Sequence, residues 1–144
     1  MKNLILKSFN VFLKGTSFLG NLLLLSMRLW IANIFWKSGM VKISDWENTI
    51  ALFRDEYQVP FLPPEFAAFS GAGFELLCPI LLTLGLASRF AVLSLLAMTA
   101  VIQFTYLQHE QHIYWAFLLL TIMCFGAGKI SADYFIKKRF IAAD

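Results

Sequence analysis

Apolar residues dominate four stretches of the chain, at about 18–41, 65–86, 90–107 and 113–128, and short polar or proline-containing segments separate them. A helix needs about 20 apolar residues to cross a bilayer. The pattern therefore predicts an all-α protein: a four-helix transmembrane bundle filling one domain, residues 1–144. The first stretch exceeds the required length, so it is expected to tilt or to emerge from the membrane. Ahead of it, Leu4, Ile5, Phe9, Phe12 and Leu13 fall on one helical face and Lys7, Asn10 and Lys14 on the other. That spacing predicts a short N-terminal helix lying in the membrane interface. No small-residue cleavage site follows it, so a removable signal is not expected. Between the first two spans, Ser44-Asp45-Trp46-Glu47 reads as a capping box with the serine as N-cap. Trp46, Ile50, Phe53 and Tyr57 then recur at helical spacing. They predict an amphipathic helix resting on the outer interface with its aromatic face toward lipid, ended by Pro60, Pro63 and Pro64.

Polar residues inside the apolar stretches decide where chemistry could sit. Asn21, Arg28, Ala32, Phe35, Gly39 and Lys42 share one face of the first span. Ala67, Gly71, Glu75 and Cys78 share one face of the second. Small and polar residues on one face mark the side turned toward other helices. An arginine in hydrocarbon costs about 2.5–3.5 kcal/mol on insertion scales, so Arg28 is expected to find a partner or a wet cavity. Counted from the expected span ends, Arg28 lies about 15 Å deep and Glu75 about 17 Å. A bidentate Arg28–Glu75 pair near mid-membrane is the expected arrangement. It could serve chemistry or merely fix how two helices dock. Pro79 has no N–H to offer the carbonyl of Glu75, so a bend is expected there. The third span carries a slim stripe of Ser94, Ala97, Val101 and Thr105.

Composition supports the membrane reading. The chain is 59% hydrophobic and 15% charged, against about a quarter charged in ordinary soluble domains. The net charge of +3 speaks about topology, and no nucleic-acid partner is expected. Lys2, Lys7, Lys14, Arg89, Lys129, Lys137, Lys138 and Arg139 fall on one side, and Lys37, Lys42 and Arg54 on the other. That bias predicts both termini in the cytoplasm. Trp36, Trp46, Tyr57, Tyr106, Tyr114 and Trp115 would then form an outer aromatic belt. Asn33, Trp36, Lys37, Gln103 and Tyr114 share that depth and could line a pocket mouth. His109, Glu110 and His112, in a polar loop at 108–112, could bind a metal or pass protons, but a solvated loop with ordinary histidines is expected. Cys78 and Cys124 are expected to pack rather than to act as a redox pair. The chain has no Walker loop, dinucleotide fingerprint, haem box or catalytic triad.

Three pieces read together: Arg28-Leu29 with Phe35-Trp36-Lys37-Ser38-Gly39-Met40-Val41-Lys42; Glu75 with Gly85-Leu86-Ala87-Ser88-Arg89; and Phe125-Gly126-Ala127-Gly128-Lys129-Ile130-Ser131-Ala132-Asp133. Over roughly residues 20–135 the chain resembles the DoxX family of small four-helix membrane proteins of the bacterial inner membrane. Ala127 stands where the family pattern has proline, and Ile130 and Ala132 where it has leucines. The resemblance implies a four-helix membrane bundle. Some members are similar to or belong to quinone-linked sulfur-oxidising complexes, and others accompany oxidative-stress or metal-handling proteins. On that likeness Arg28, Glu75 and Lys42 would be the catalytic set, with Trp36, Gly39, Gln103 and Tyr114 as cofactor-binding candidates and quinone as the lipid-borne cofactor. Ser131 and Asp133 read as a closing motif, with Asp133 capping backbone groups or pairing with Arg89. The implied role is membrane redox chemistry alongside a partner protein. A small-molecule or ion carrier, and a non-catalytic subunit docking a partner, stay open, as do oligomerisation and whether the chain itself is an enzyme.

Overall fold

The computed structural model describes residues 2–105 and 109–140, with Lys2–Ile5 and Ser8 as backbone alone. Six helices account for nearly all of it: α1 (Lys2–Ser44), α2 (Trp46–Leu52), α3 (Pro64–Leu84), α4 (Ser88–Thr105), α5 (Glu110–Phe125) and α6 (Ala132–Phe140). A single π-helical turn, Phe53–Tyr57, continues α2. No strand occurs among the described residues. Tyr106, Leu107 and Gln108, placed by sequence in the aromatic belt, the third span and the polar loop, lie outside the described residues.

The separate N-terminal helix is not seen. Residues 2–44 form one helix, about 64 Å long at 1.5 Å per residue. No proline interrupts the stretch, and Gly15 and Gly20 alone do not break a helix whose neighbours favour it. The basic amphipathic segment and the first span therefore share one axis. Lys7, Phe9, Phe12, Leu13 and Lys14 are all exposed on it.

Each following boundary has a local cause. Asp45, not Ser44, caps α2: its φ of −135° leaves the helix, and its carboxylate accepts from the backbone N–H of Asn48 at 3.2 Å. Ser44 is still helical, and its hydroxyl donates to the Val41 carbonyl at 2.8 Å. Gln58, at φ +42°, stops the π-helical turn before the prolines. Pro64 opens α3 at a position where a missing N–H costs nothing. Gly85, at φ +69°, closes it in the left-handed region that glycine occupies without penalty.

The helices α1, α3, α4 and α5 touch in cyclic order, with α1 against α3 the most extensive pairing and α5 returning to α1. Ile31, Phe35, Cys78, Leu82, Leu95, Leu119 and Ile122 fill the space between them. The backbones of α1 and α3 come close at Gly39, where a Cβ would lie 3.2 Å from the Glu75 carbonyl carbon. The α2 stripe has the predicted period but a different neighbour. Phe53 and Tyr57 are buried against Ala67 and Ala68 of α3, and the Phe53 ring sits on Gly71. They close one end of the helix cluster instead of facing lipid, so Tyr57 is not part of an outer belt.

Among the described residues, three helices are long and apolar enough to cross a membrane: α1 over Phe9–Ser44, α3 and α4. Their outer faces carry exposed Leu23, Trp30, Phe69, Leu77 and Leu93, as expected where the surrounding solvent is lipid. The α5 helix, at 16 residues, spans about 24 Å.

Candidate functional site

Two buried cations organise the interior, one near each end of the cluster. The first is Lys42, on the last turn of α1. Its ammonium donates to both carboxylate oxygens of Glu75, at 2.9 and 2.8 Å, and to the Ser38 hydroxyl at 2.9 Å. Lys42 is 6% exposed and Glu75 1%. Placement follows from the helices. Gly39 and Lys42 share a face of α1, and the absence of a side chain at Gly39 lets α3 bring Glu75 within reach. Thr49 of α2 donates its hydroxyl to the Lys42 carbonyl at 2.9 Å and ties α2 to the same spot. Pro79, inside α3, offers no N–H to the Glu75 carbonyl, so an extra acceptor lies beside the ion pair.

Glu75 also forms part of the wall of a cavity of about 170 Å³, which Phe53, Tyr57, Phe74, Met98 and Ile102 line from the π-helical turn, α3 and α4. The lining is apolar and aromatic apart from Glu75, Ser70 and the phenol of Tyr57. A carboxylate on a hydrophobic wall, held by one ammonium, can hold a proton or accept a hydrogen bond from a small polar group inside the cavity.

The second cation is Arg28, the bulkiest fully buried side chain among the described residues. It does not meet Glu75. Its guanidinium donates through Nη1 to the Leu82 carbonyl at 3.0 Å and through Nη2 to the Ile130 carbonyl. The expected pairing failed on depth. The expected depth takes Phe18 as the end of the span, but α1 continues through it, and Arg28 lies level with the C-terminus of α3. Glu75, seven residues before Leu82, is about 10 Å away along the helix axis. Gly85 is pressed against the guanidinium, and a Cβ there would collide with Nη1 and with Ser131. Arg28 thus secures the α3 terminus and the segment after α5 with charge-assisted hydrogen bonds to carbonyls.

The closing motif finishes that end. Asp133 accepts from the backbone N–H groups of Ala87 and Ser88 at 2.8 and 3.0 Å, so it caps the start of α4. Of its two expected roles, backbone capping is the one the structure shows. Ser131 donates to the Gly128 carbonyl at 2.6 Å, and Asn21 accepts from the Lys129 N–H, also at 2.6 Å. Sequence reading missed the Asn21 contact, although Asn21 shares a helical face with Arg28.

The remaining candidates do not converge on one pocket. Gly39 touches Glu75 and Leu76. Trp36 is 41% exposed and lines an outer groove between α1 and α3 with Asn33 and Pro79. Tyr114 points away, 68% exposed. Gln103 is on the α4–α5 side, where its carbonyl oxygen is 2.8 Å from Nδ1 of His112 and accepts from the His109 N–H at 3.2 Å. The His109 ring caps α5 by accepting from the Gln111 N–H. Among the described residues, no group of three or more histidine, cysteine or acidic side chains could hold a metal ion. Cys78 is buried in the core and Cys124 is exposed, both as free thiols.

Comparison with known proteins fits this geometry. The DoxX family model matches residues 23–108, a stretch that includes Arg28, Gly39, Lys42, Glu75 and the α3–α4 turn. An uncharacterized protein of Haemophilus influenzae is 30% identical over 127 residues, covering 80% of this chain and 83% of its own length. No solved structure matches.

Proposed function

The chain belongs to the DoxX family and is an integral membrane protein, and from that premise we propose that it supports quinone-linked redox chemistry together with a partner protein. The reading includes α5 as a fourth crossing, which completes a four-helix transmembrane bundle in the bacterial inner membrane with both termini in the cytoplasm. The distribution of lysine and arginine supports that orientation.

The observation that carries the functional reading is the buried Lys42–Glu75 pair, whose Glu75 forms part of the wall of the aromatic cavity. An apolar cavity of about 150 Å³ accepts a benzene ring, so a cavity of about 170 Å³ suits a single ring entering from lipid. Reduction of a quinone to a quinol takes two electrons and two protons. In this reading the partner protein supplies the electrons. Glu75 is the proton station beside the ring, taking protons from the aqueous side and passing them to the ring oxygens. Lys42 holds the carboxylate in place through both of its oxygens. In this reading Arg28, which donates to the Leu82 and Ile130 carbonyls, serves the fold.

The test is quinone binding to the purified chain in lipid nanodiscs, followed by quinone reduction in native membranes. Ala97→Phe, which fills the cavity from α4, is expected to abolish binding. Glu75→Gln is expected to keep binding and lower turnover at least about tenfold, within the range of a lost proton-transfer group. Binding unaffected by Ala97→Phe would overturn the reading.

A further inference from the structure

A second, chemically different cavity lies at the opposite end, where α1, the α3–α4 turn and the 126–131 segment meet. It is an open cavity of about 840 Å³. Leu24, Met27, Phe90 and Phe125 supply apolar walls, and the exposed side chains of Arg89, Lys129 and Lys137 supply positive charge. A neighbouring groove of about 370 Å³ along α1 shares Ser17, Asn21 and Lys129 with it and adds Lys14. The acid in the wall is Asp133, and both of its oxygens already accept from backbone N–H groups. Three cations therefore line this cavity, with Lys14 in the groove beside it, and the carboxylate among them is already engaged. Ser88, in the same wall, is 1% exposed, and its hydroxyl has no hydrogen-bond partner among the described residues. A buried hydroxyl left unsatisfied is costly, and here it borders a space large enough for a ligand.

We propose that this cavity binds the headgroup of an anionic phospholipid. The phosphate lies among Lys129, Lys137 and Arg89, Ser88 donates its hydroxyl to a headgroup oxygen, and an acyl chain lies along Leu24 and Phe125. Basic pockets between membrane helices recognise such headgroups by this combination of charge and apolar wall. The binding is distinct from the Lys42–Glu75 site and does not depend on it.

Native mass spectrometry of the detergent-purified full chain tests this, with phosphatidylglycerol, phosphatidylcholine and inorganic phosphate as separate probes. Phosphatidylglycerol is expected to bind more tightly than phosphatidylcholine. Lys129→Gln with Lys137→Gln should weaken it about 25-fold, at about fivefold per cation. Ser88→Ala should weaken it with the melting temperature unchanged or raised. Lys37→Gln, at the other end, should change nothing. Equal binding of the two lipids, or phosphatidylglycerol binding indifferent to the lysine pair, would overturn the proposal. Inorganic phosphate binding as tightly as phosphatidylglycerol would also overturn it, because the ligand would then be a free anion.

Discussion

Lys42 and Arg28 stand on the same face of the same helix, and both are buried, yet the structure uses them for opposite ends. Lys42 meets a carboxylate, Glu75, in an ion pair that borders an aromatic cavity. Arg28 meets two backbone carbonyls, of Leu82 and Ile130, beside the Gly85 turn and Ser131. The contrast teaches that a buried charge declares its role through its partner. A carboxylate can exchange a proton and a backbone carbonyl cannot, so the lysine end is the candidate for chemistry and the arginine end is a clasp.

Substitutions can break that comparison in order of severity. The largest loss is expected for Lys42→Met, which leaves Glu75 buried without its cation. The cost should be about 3–5 kcal/mol, read by denaturation in mixed micelles. Lys42→Met with Glu75→Leu should recover most of that loss, because apolar residues often replace a buried pair without penalty. Arg28→Met should cost about 3 kcal/mol, the low end for its two lost charge-assisted bonds, and its local signature should be faster hydrogen exchange at 85–89 and 128–133. Asp133→Ala should cost about 1 kcal/mol, a typical helix cap, with the loss confined to the start of α4. At the bottom of the order, Arg54→Ala should leave stability unchanged within error, because Arg54 and Glu65 form a pair that is 56% and 60% exposed.

Much of the helical architecture was legible in the sequence. The turn at Gly85 and the helix-packing faces followed from spacing, and Ala67, Glu75 and Cys78 are indeed buried together. Periodicity reveals which residues share a face, but it does not reveal what that face meets. Phe53 and Tyr57 have the spacing expected of an interfacial helix, and only the packing of Ala67, Ala68 and Gly71 shows that they cover protein. The Arg28–Glu75 expectation failed for a related reason. The start of the apolar run does not mark a helix end, because α1 runs on through its basic segment without a break. The stripe already held Lys42, one turn beyond Gly39. Because the glycine marks where two backbones approach most closely, it pointed to the lysine as the residue able to reach an acid on α3. The aromatic cavity was not legible, because it is assembled from the π-helical turn, α3 and α4, which no local pattern connects.

The most direct measurement is a pair of double-mutant cycles on unfolding free energy, Lys42→Met with Glu75→Leu and Arg28→Met with Glu75→Leu. Contacting charges should show a coupling of about 1 kcal/mol or more, and independent sites should add within about 0.5 kcal/mol. The account predicts strong coupling in the lysine cycle and additivity in the arginine cycle. Additivity in the lysine cycle with strong coupling in the arginine cycle would contradict it.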